Sequence, residues 1–185
     1  MAFEMIGSGK DGPIALDGMD EARGTQCSTQ EVGLEGPLLT GNWVLHHLGF
    51  VVRSISAIAD EFASSISAHW DGQVTDDPIQ QVRVAFFYPG DGRNPVFELV
   101  EPAAEASPVS NFLSKGGGLH HVCYEVDDLE SALNEARGVG LAIVANPAPA
   151  VAFGFRRIAW ICSKSRLLME LLERGAKAQN ASNHP

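Results

Sequence analysis

Apolar and polar residues in the middle of this chain follow two spacings in turn, and that succession occurs twice. Trp43 to Val52 is rich in Val, Leu and Phe, which predicts a strand. Ser54 to Ser67 then carries Ile55, Ile58, Ala59, Phe62 and Ile66 at helical spacing. Further strands are predicted around Trp70 to Val74, Gln81 to Tyr88 and Val96 to Glu101. The second half repeats the scheme. His120 to Val126 reads as a strand, and Asp127 or Asp128 as the cap of a helix running to Ala136. Strands around Leu141 to Ala145, Arg157 to Cys162 and Leu167 to Leu172 complete it. Strand, helix and three strands, twice over, predict an α+β fold of tandem βαβββ modules.

The residues themselves repeat. Leu45-His46-His47-Leu48 returns as Leu119-His120-His121-Val122, and Val82 to Phe86 returns as Arg156 to Trp160, both at an offset of 74. Phe97-Glu98-Leu99-Val100-Glu101 returns as Met169-Glu170-Leu171-Leu172-Glu173 at an offset of 72. The first module is placed at residues 43–102 and the second at 117–174. A linker at 103–116 contains a helical stretch, Pro108 to Lys115, and runs into Gly116-Gly117-Gly118, which permit a sharp entry into the next strand. Residues 1–42, rich in Gly, acidic and small polar residues, read as a flexible arm, with Val32 to Trp43 the part most able to dock on the core or on a second subunit. Residues 175–185 read as a tail.

Composition narrows the function. Hydrophobic content of 45% with 19% charged residues is that of a soluble globular chain. A balance of 13 basic against 23 acidic residues, net −10, argues against nucleic acid or an anionic membrane as partner. The pair Arg156-Arg157 keeps an anionic ligand open locally. Three cysteines without a CxxC suggest neither a disulfide framework nor a zinc ribbon. No apolar run approaches the ~20 residues a membrane span needs, and the first residues lack signal-peptide features, so the expected location is cytoplasmic.

Strand alternation decides which side chains share a face. His47 falls with Gly49 and Val51, opposite the helix-packing set Leu48, Phe50 and Val52. His121 falls with Cys123 and Glu125, opposite Val122, Tyr124 and Val126. The same parity places His46 and His120 on the helix side. Glu98 and Glu170 each sit inside an apolar strand, where an ionised carboxylate costs several kcal/mol unless it is paired or bound to a cation. One such histidine is most often a core residue, and one such glutamate an edge or interface residue. Two of each at repeat-equivalent positions point to a metal site. Glu101 and Glu173 have the opposite parity and are expected to be solvated; His69, on a turn, is expected at the surface.

The series HHLGFVV…VRVAFFYPGD…VFELVEP…SPVSNFL…GGGLHHVCYEVDDLESAL…LLMELLE resembles the methylmalonyl-CoA epimerases, members of the vicinal oxygen chelate superfamily that includes glyoxalase I. The resemblance covers about residues 43–174, with Gly118 to Asp128 its most specific part. It implies mixed sheets curled around a metal-centred cup, with His47, Glu98, His121 and Glu170 as ligands, the quartet that repeat and parity also select. Such a donor set suits a divalent ion, Co, Mn, Ni or Zn. The ion would stabilise the enolate formed when a proton leaves the carbon beside a carbonyl, with Glu170 as base and Glu98 as the alternative. The implied substrate is an acyl-CoA or another chelating carbonyl compound, and the implied assembly a homodimer.

Three departures bear on the substrate. Val84 stands where some epimerases carry an acidic partner base. Pro147 to Phe155 replaces a glycine-rich loop, and Cys162 to Arg166 shortens a turn, both at the expected rim of the cup. These keep open another metal-dependent isomerase or lyase of the superfamily. A metal-free binding protein would use Phe86, Phe153, Phe155 and Trp160 as cleft walls but has no need of the quartet. An iron-dependent ring-cleaving dioxygenase uses two histidines and one carboxylate, so Glu98 argues against it.

Overall fold

A computed structural model describes residues 39, 41–90 and 96–175. The expectations for the arm before residue 39 and for the tail after Gly175 lie outside the described residues. Within them the order is β1 (Val44–Val51), α1 (Ile55–Ser65), β2 (Ala68–His69), β3 (Thr75–Asp77), β4 (Val82–Pro89), β5 (Val96–Pro102), α2 (Ser110–Ser114), β6 (Gly118–Val126), α3 (Leu129–Gly138), β7 (Ala142–Pro149), a 3-10 turn (Val151–Phe153), β8 (Arg157–Cys162) and β9 (Leu168–Glu173).

The strands join one mixed sheet in the order β2-β4-β5-β1-β6-β9-β8-β7, with β3 paired to β4. Its centre is the antiparallel pair β1–β6. Outward from it, β1 pairs parallel with β5 and β6 pairs parallel with β9, so each half repeats the other's path. This is the α+β architecture of tandem βαβββ modules that the periodicity predicts.

Apolar burial assigns the two faces. On one, α1 packs Ile55 and Ala59 against Ala85, Phe87 and Leu99, and α3 packs Leu129, Ala132, Leu133 and Ala136 against Val126, Ala159, Ile161 and Leu171. On the other, Val51, Val82, Val84, Val100 and Val109 form one cluster and Cys123, Ala150, Ile158 and Leu172 another. No helix among the described residues is long and apolar enough to cross a membrane.

The helix entries differ. Asp128 caps α3, its carboxylate accepting from Ser131 N at 2.6 Å. Ser54 precedes α1 and makes no side-chain cap bond. Glu101 supplies the acceptor instead, taking the Ile55 N–H at 2.8 Å and pairing with Arg83. Glu101 is therefore buried, at 8% exposure, and not solvated as expected. Alternation placed it on the correct face, but the unpaired N–H groups at the start of α1 make that face polar at this point. Glu173, also expected in solvent, is half-buried and paired with Arg157.

Two further expectations change. Residues 70–74 form a turn between β2 and β3: Asp71 accepts from Gln73 N at 2.9 Å, Trp70 donates to Gln73 O at 3.2 Å, and Gly72 adopts φ +79°. Local side-chain bonds here outcompete strand pairing. Pro147 to Pro149, read as rim loop, extend β7, which is an edge strand and so tolerates residues without an N–H. His69 lies in β2 and is exposed, as expected of a surface residue.

Candidate metal centre

His47 comes from β1, His121 from β6, Glu98 from β5 and Glu170 from β9, the four central strands. The structure brings all four together, buried, on the face opposite the helices. His47 Nε2 lies 3.1 Å from His121 Nε2. Glu98 Oε2 is 3.3 Å from the His47 nitrogen and 3.4 Å from that of His121, and Glu170 Oε2 is 3.1 and 3.6 Å from them. The ligand atoms of His47, His121 and Glu170 all lie within 4.8 Å of one another. Glu98 reaches both imidazoles at comparable distances.

Pairing geometry explains the convergence. Gly49 faces His121 across the β1–β6 ladder, and Cys123 faces His47. The His121 ring lies over Gly49 so closely that a Cβ there would stand 2.0 Å from its Cε1. Phe86, opposite Glu98 in the β4–β5 pair, sets its ring edge-on to His47 at 6.0 Å. Trp160, opposite Glu170 in the β8–β9 pair, does the same to His121 at 4.9 Å. Phe153 from the 3-10 turn stacks on His47 at 5.7 Å, whereas Phe155 is 65% exposed.

His46 and His120 are not on the helix side. Each is the extra residue of a β-bulge: the register slips between Leu45 and His47 in β1, and in β6 where Gly49–Phe50 face His121 and Leu119. A bulge turns two successive side chains toward one face, which simple alternation does not allow for. His46 Nδ1 thereby comes within 2.8 Å of His47 Nδ1, and His120 Nδ1 within 3.1 Å of His121 Nδ1. The recurring His-His doublet was the only sign of this in the sequence, and it does not announce a bulge.

Charge in the cluster is unbalanced without a cation. Burial alone would lower the pKa of His47, but Glu98 and Glu170 override it and raise the value to about 10. Burial would raise that of Glu98, but His47 and His121 hold it at about 2. A proton on His47 thus does part of the work of a cation among buried carboxylates. Burial, then the neighbouring His47 or His121, lowers His46 and takes His120 to about 4, so both are neutral at pH 7. The Cys123 thiol is pushed up by burial and by the neighbouring Glu170 carboxylate.

The donor set fits a metal. Bonds of about 2.0–2.2 Å to a common ion place neighbouring donors from ~2.8 Å apart at octahedral angles to ~3.6 Å at tetrahedral ones, a range that contains the separations of 3.1 to 3.6 Å found here. Beside the quartet opens a cavity of about 310 Å³, walled by Val82, Val84, Val100, Val109, Phe153 and Trp160. Glu98, Glu170, His120, His121 and Asp77 also line it. Asp77 is fully engaged: it accepts from Ile79 N and Gln80 N at 3.0 Å each and from Val151 N at 2.7 Å, tying β3 to the 3-10 turn. Arg156 and Arg157, left open as an anion site, are paired with Glu125 and with Glu130 and Glu173.

A metal-ready cluster at the seam of two βαβββ modules defines a class, and the chain belongs to it: the Glyoxalase/Bleomycin resistance protein/Dioxygenase superfamily, whose model matches residues 46–160. Within that class the similar proteins include methylmalonyl-CoA epimerases. The chain is 31% identical over 109 residues to the ethylmalonyl-CoA/methylmalonyl-CoA epimerase of Cereibacter sphaeroides, spanning 58% of this chain and 78% of that protein. It is 28% identical over 136 residues to the mitochondrial methylmalonyl-CoA epimerase of Dictyostelium discoideum, spanning 70% and 78%. Among solved structures, a hypothetical protein of Bacillus halodurans superposes with a TM-score of 0.65 at 29% identity, over 75% of this chain and 99% of that one. Methylmalonyl-CoA epimerase from Mycobacterium tuberculosis shares the fold, with a TM-score of 0.65 at 24% identity over 76% and 94%.

Proposed function

We propose that this protein is a metal-dependent epimerase of methylmalonyl-CoA or a related enolisable acyl thioester. The observation that carries the reading is the buried quartet itself, two imidazole nitrogens and two carboxylates converging beside a cavity. The relationship to the epimerases supports the substrate class.

His47, Glu98, His121 and Glu170 hold the ion, which is Co, Mn, Ni or Zn by the chemistry of mixed nitrogen and oxygen donors. When bound, it supplies Lewis-acid stabilisation of the negative charge that develops on the thioester oxygen. The chain's own residues do the rest. Val82, Val84, Val100 and Val109 make an apolar wall that excludes water from the α-carbon. Glu170 removes the α-proton, with Glu98 as the alternative base. Inversion needs a proton taken from one side of the carbon and delivered on the other. Val84 offers no base, and both oxygens of Asp77 are occupied by backbone N–H groups. Of the carboxyl groups that line the cavity, Glu98 and Glu170 are therefore the ones left to handle the transfers. A homodimer belongs to the same proposal and rests on the family resemblance; the cytoplasmic setting belongs to it as the expectation drawn from the sequence.

The test is proton exchange with methylmalonyl-CoA in D2O, using protein loaded separately with Co and Zn beside a chelated control. Metal-dependent deuterium uptake at the α-carbon with inversion is expected. A sample with one metal per chain and no exchange would overturn the substrate assignment.

A further inference from the structure

We propose that His46 and His120 set the tautomer of the two ligand imidazoles, each accepting a hydrogen bond from the Nδ1–H of the histidine that follows it. This rests on the metal-site reading above. A neutral imidazole carries one proton, on one nitrogen or the other. For His47 and His121 to aim a lone pair from Nε2 at their shared point, that proton must sit on Nδ1. A buried N–H of this kind needs an acceptor. In each half the atom found at that distance is Nδ1 of the preceding histidine, 2.8 Å away for His46 and 3.1 Å for His120. His46 and His120 must then hold their own proton on Nε2.

The arrangement is built twice, from different surroundings, which argues against a chance contact. Each accepting histidine is the extra residue of a bulge, one in β1 and one in β6, so the backbone leaves its regular register to bring the ring round. Aromatic neighbours then hold the ring: Phe153 stands edge-on to His46 at 5.7 Å, and Phe112 edge-on to His120 at 4.8 Å. The residue type follows from charge. Ligand histidines commonly donate their second N–H to a carboxylate or a backbone carbonyl. Two more carboxylates here would add two negative charges to a buried cluster that a divalent ion and the two glutamates leave neutral, at high desolvation cost. A neutral imidazole accepts the bond without adding charge.

The test compares His46→Leu and His120→Leu, which remove the acceptor, with His46→Asn and His120→Asn, whose Oδ1 falls near the lost Nδ1. Zn affinity of the full chain is measured by competition with a chromophoric chelator. Long-range 1H–15N NMR of the Zn-loaded wild type reads the tautomer of each ring. The Leu variants should bind Zn about 10- to 100-fold more weakly, with the Asn variants restored toward wild type. The spectra should place the proton of His46 and His120 on Nε2. Leu variants with wild-type affinity, or a proton on Nδ1 of His46 and His120, would overturn the proposal. Should a Leu variant fail to fold, the wild-type spectra decide alone. A wild type that binds no Zn, Co, Mn or Ni would instead sink the metal-site reading, and this inference with it.

Discussion

His121 lies across β1 above Gly49, whereas His47 lies across β6 above Cys123, and the two supporting positions are 74 residues apart like the histidines they support. In the first half the ring needs the complete absence of a side chain, since a Cβ would meet it at 2.0 Å. In the second half the equivalent site has room for a thiol, which reaches Glu170. Helix entry differs as well: Asp128 caps α3 from the adjacent residue, while α1 is capped by Glu101 from a distant strand. The repeat thus places the two histidines and two glutamates symmetrically, and each half supports them with unequal parts.

The largest effects should come from the ligand carboxylates. Glu170→Gln is expected to slow α-proton exchange by about 100- to 10,000-fold, and Glu98→Gln in the other half similarly if the two share the proton transfers. An unchanged exchange rate in either variant, measured on metal-loaded protein, would remove that residue from proton handling and break the symmetry of roles.

Gly49→Ala and Cys123→Ala sharpen the contrast at the seam. The first should expel the His121 ring, abolish stoichiometric metal binding and destabilise the fold by about 1–3 kcal/mol. The second should keep the metal. Calorimetric metal titration of both variants checks this; equal losses would mean that the two supports are equivalent after all.

Protonation offers a third handle. His47 stands at about 10 against an ordinary 6.5, so its contribution to metal-free stability is complete below pH 6.5 and is lost as pH rises toward 10. Glu98 stands at about 2 against 4.5, so its contribution is complete above pH 4.5 and is lost as pH falls toward 2. Melting temperatures of metal-free protein should therefore decline on both limbs. Loaded metal needs a neutral His47 and should flatten the alkaline limb; an unchanged limb would mean that the ion does not replace this proton.

The smallest effects belong to the helix caps. Glu101→Gln should cost about 1–2 kcal/mol by weakening the bond to Ile55 N and the pair with Arg83. Asp128→Ala should cost about 1 kcal/mol and Ser54→Ala close to none. Urea unfolding of the three variants gives the order, and a Ser54 loss as large as that of Asp128 would contradict the tertiary cap on α1.

Periodicity and the 74-residue repeat were enough to read the module order, the face shared by His47 and His121, and the choice of Glu98 and Glu170, because these depend on alternation within single strands. Alternation failed at His46 and His120, where bulges turn successive side chains to one side, and bulges arise from pairing between strands. It also missed Glu101, whose burial follows from where α1 begins in space. Residues 70–74 depart from the predicted strand because bonds within the turn outweigh β-propensity. The sequence by itself determined that His47, Glu98, His121 and Glu170 share one side of their strands; the tertiary structure decided how closely they approach and which neighbours stand beside them, since those depend on distances between strands that no single strand encodes.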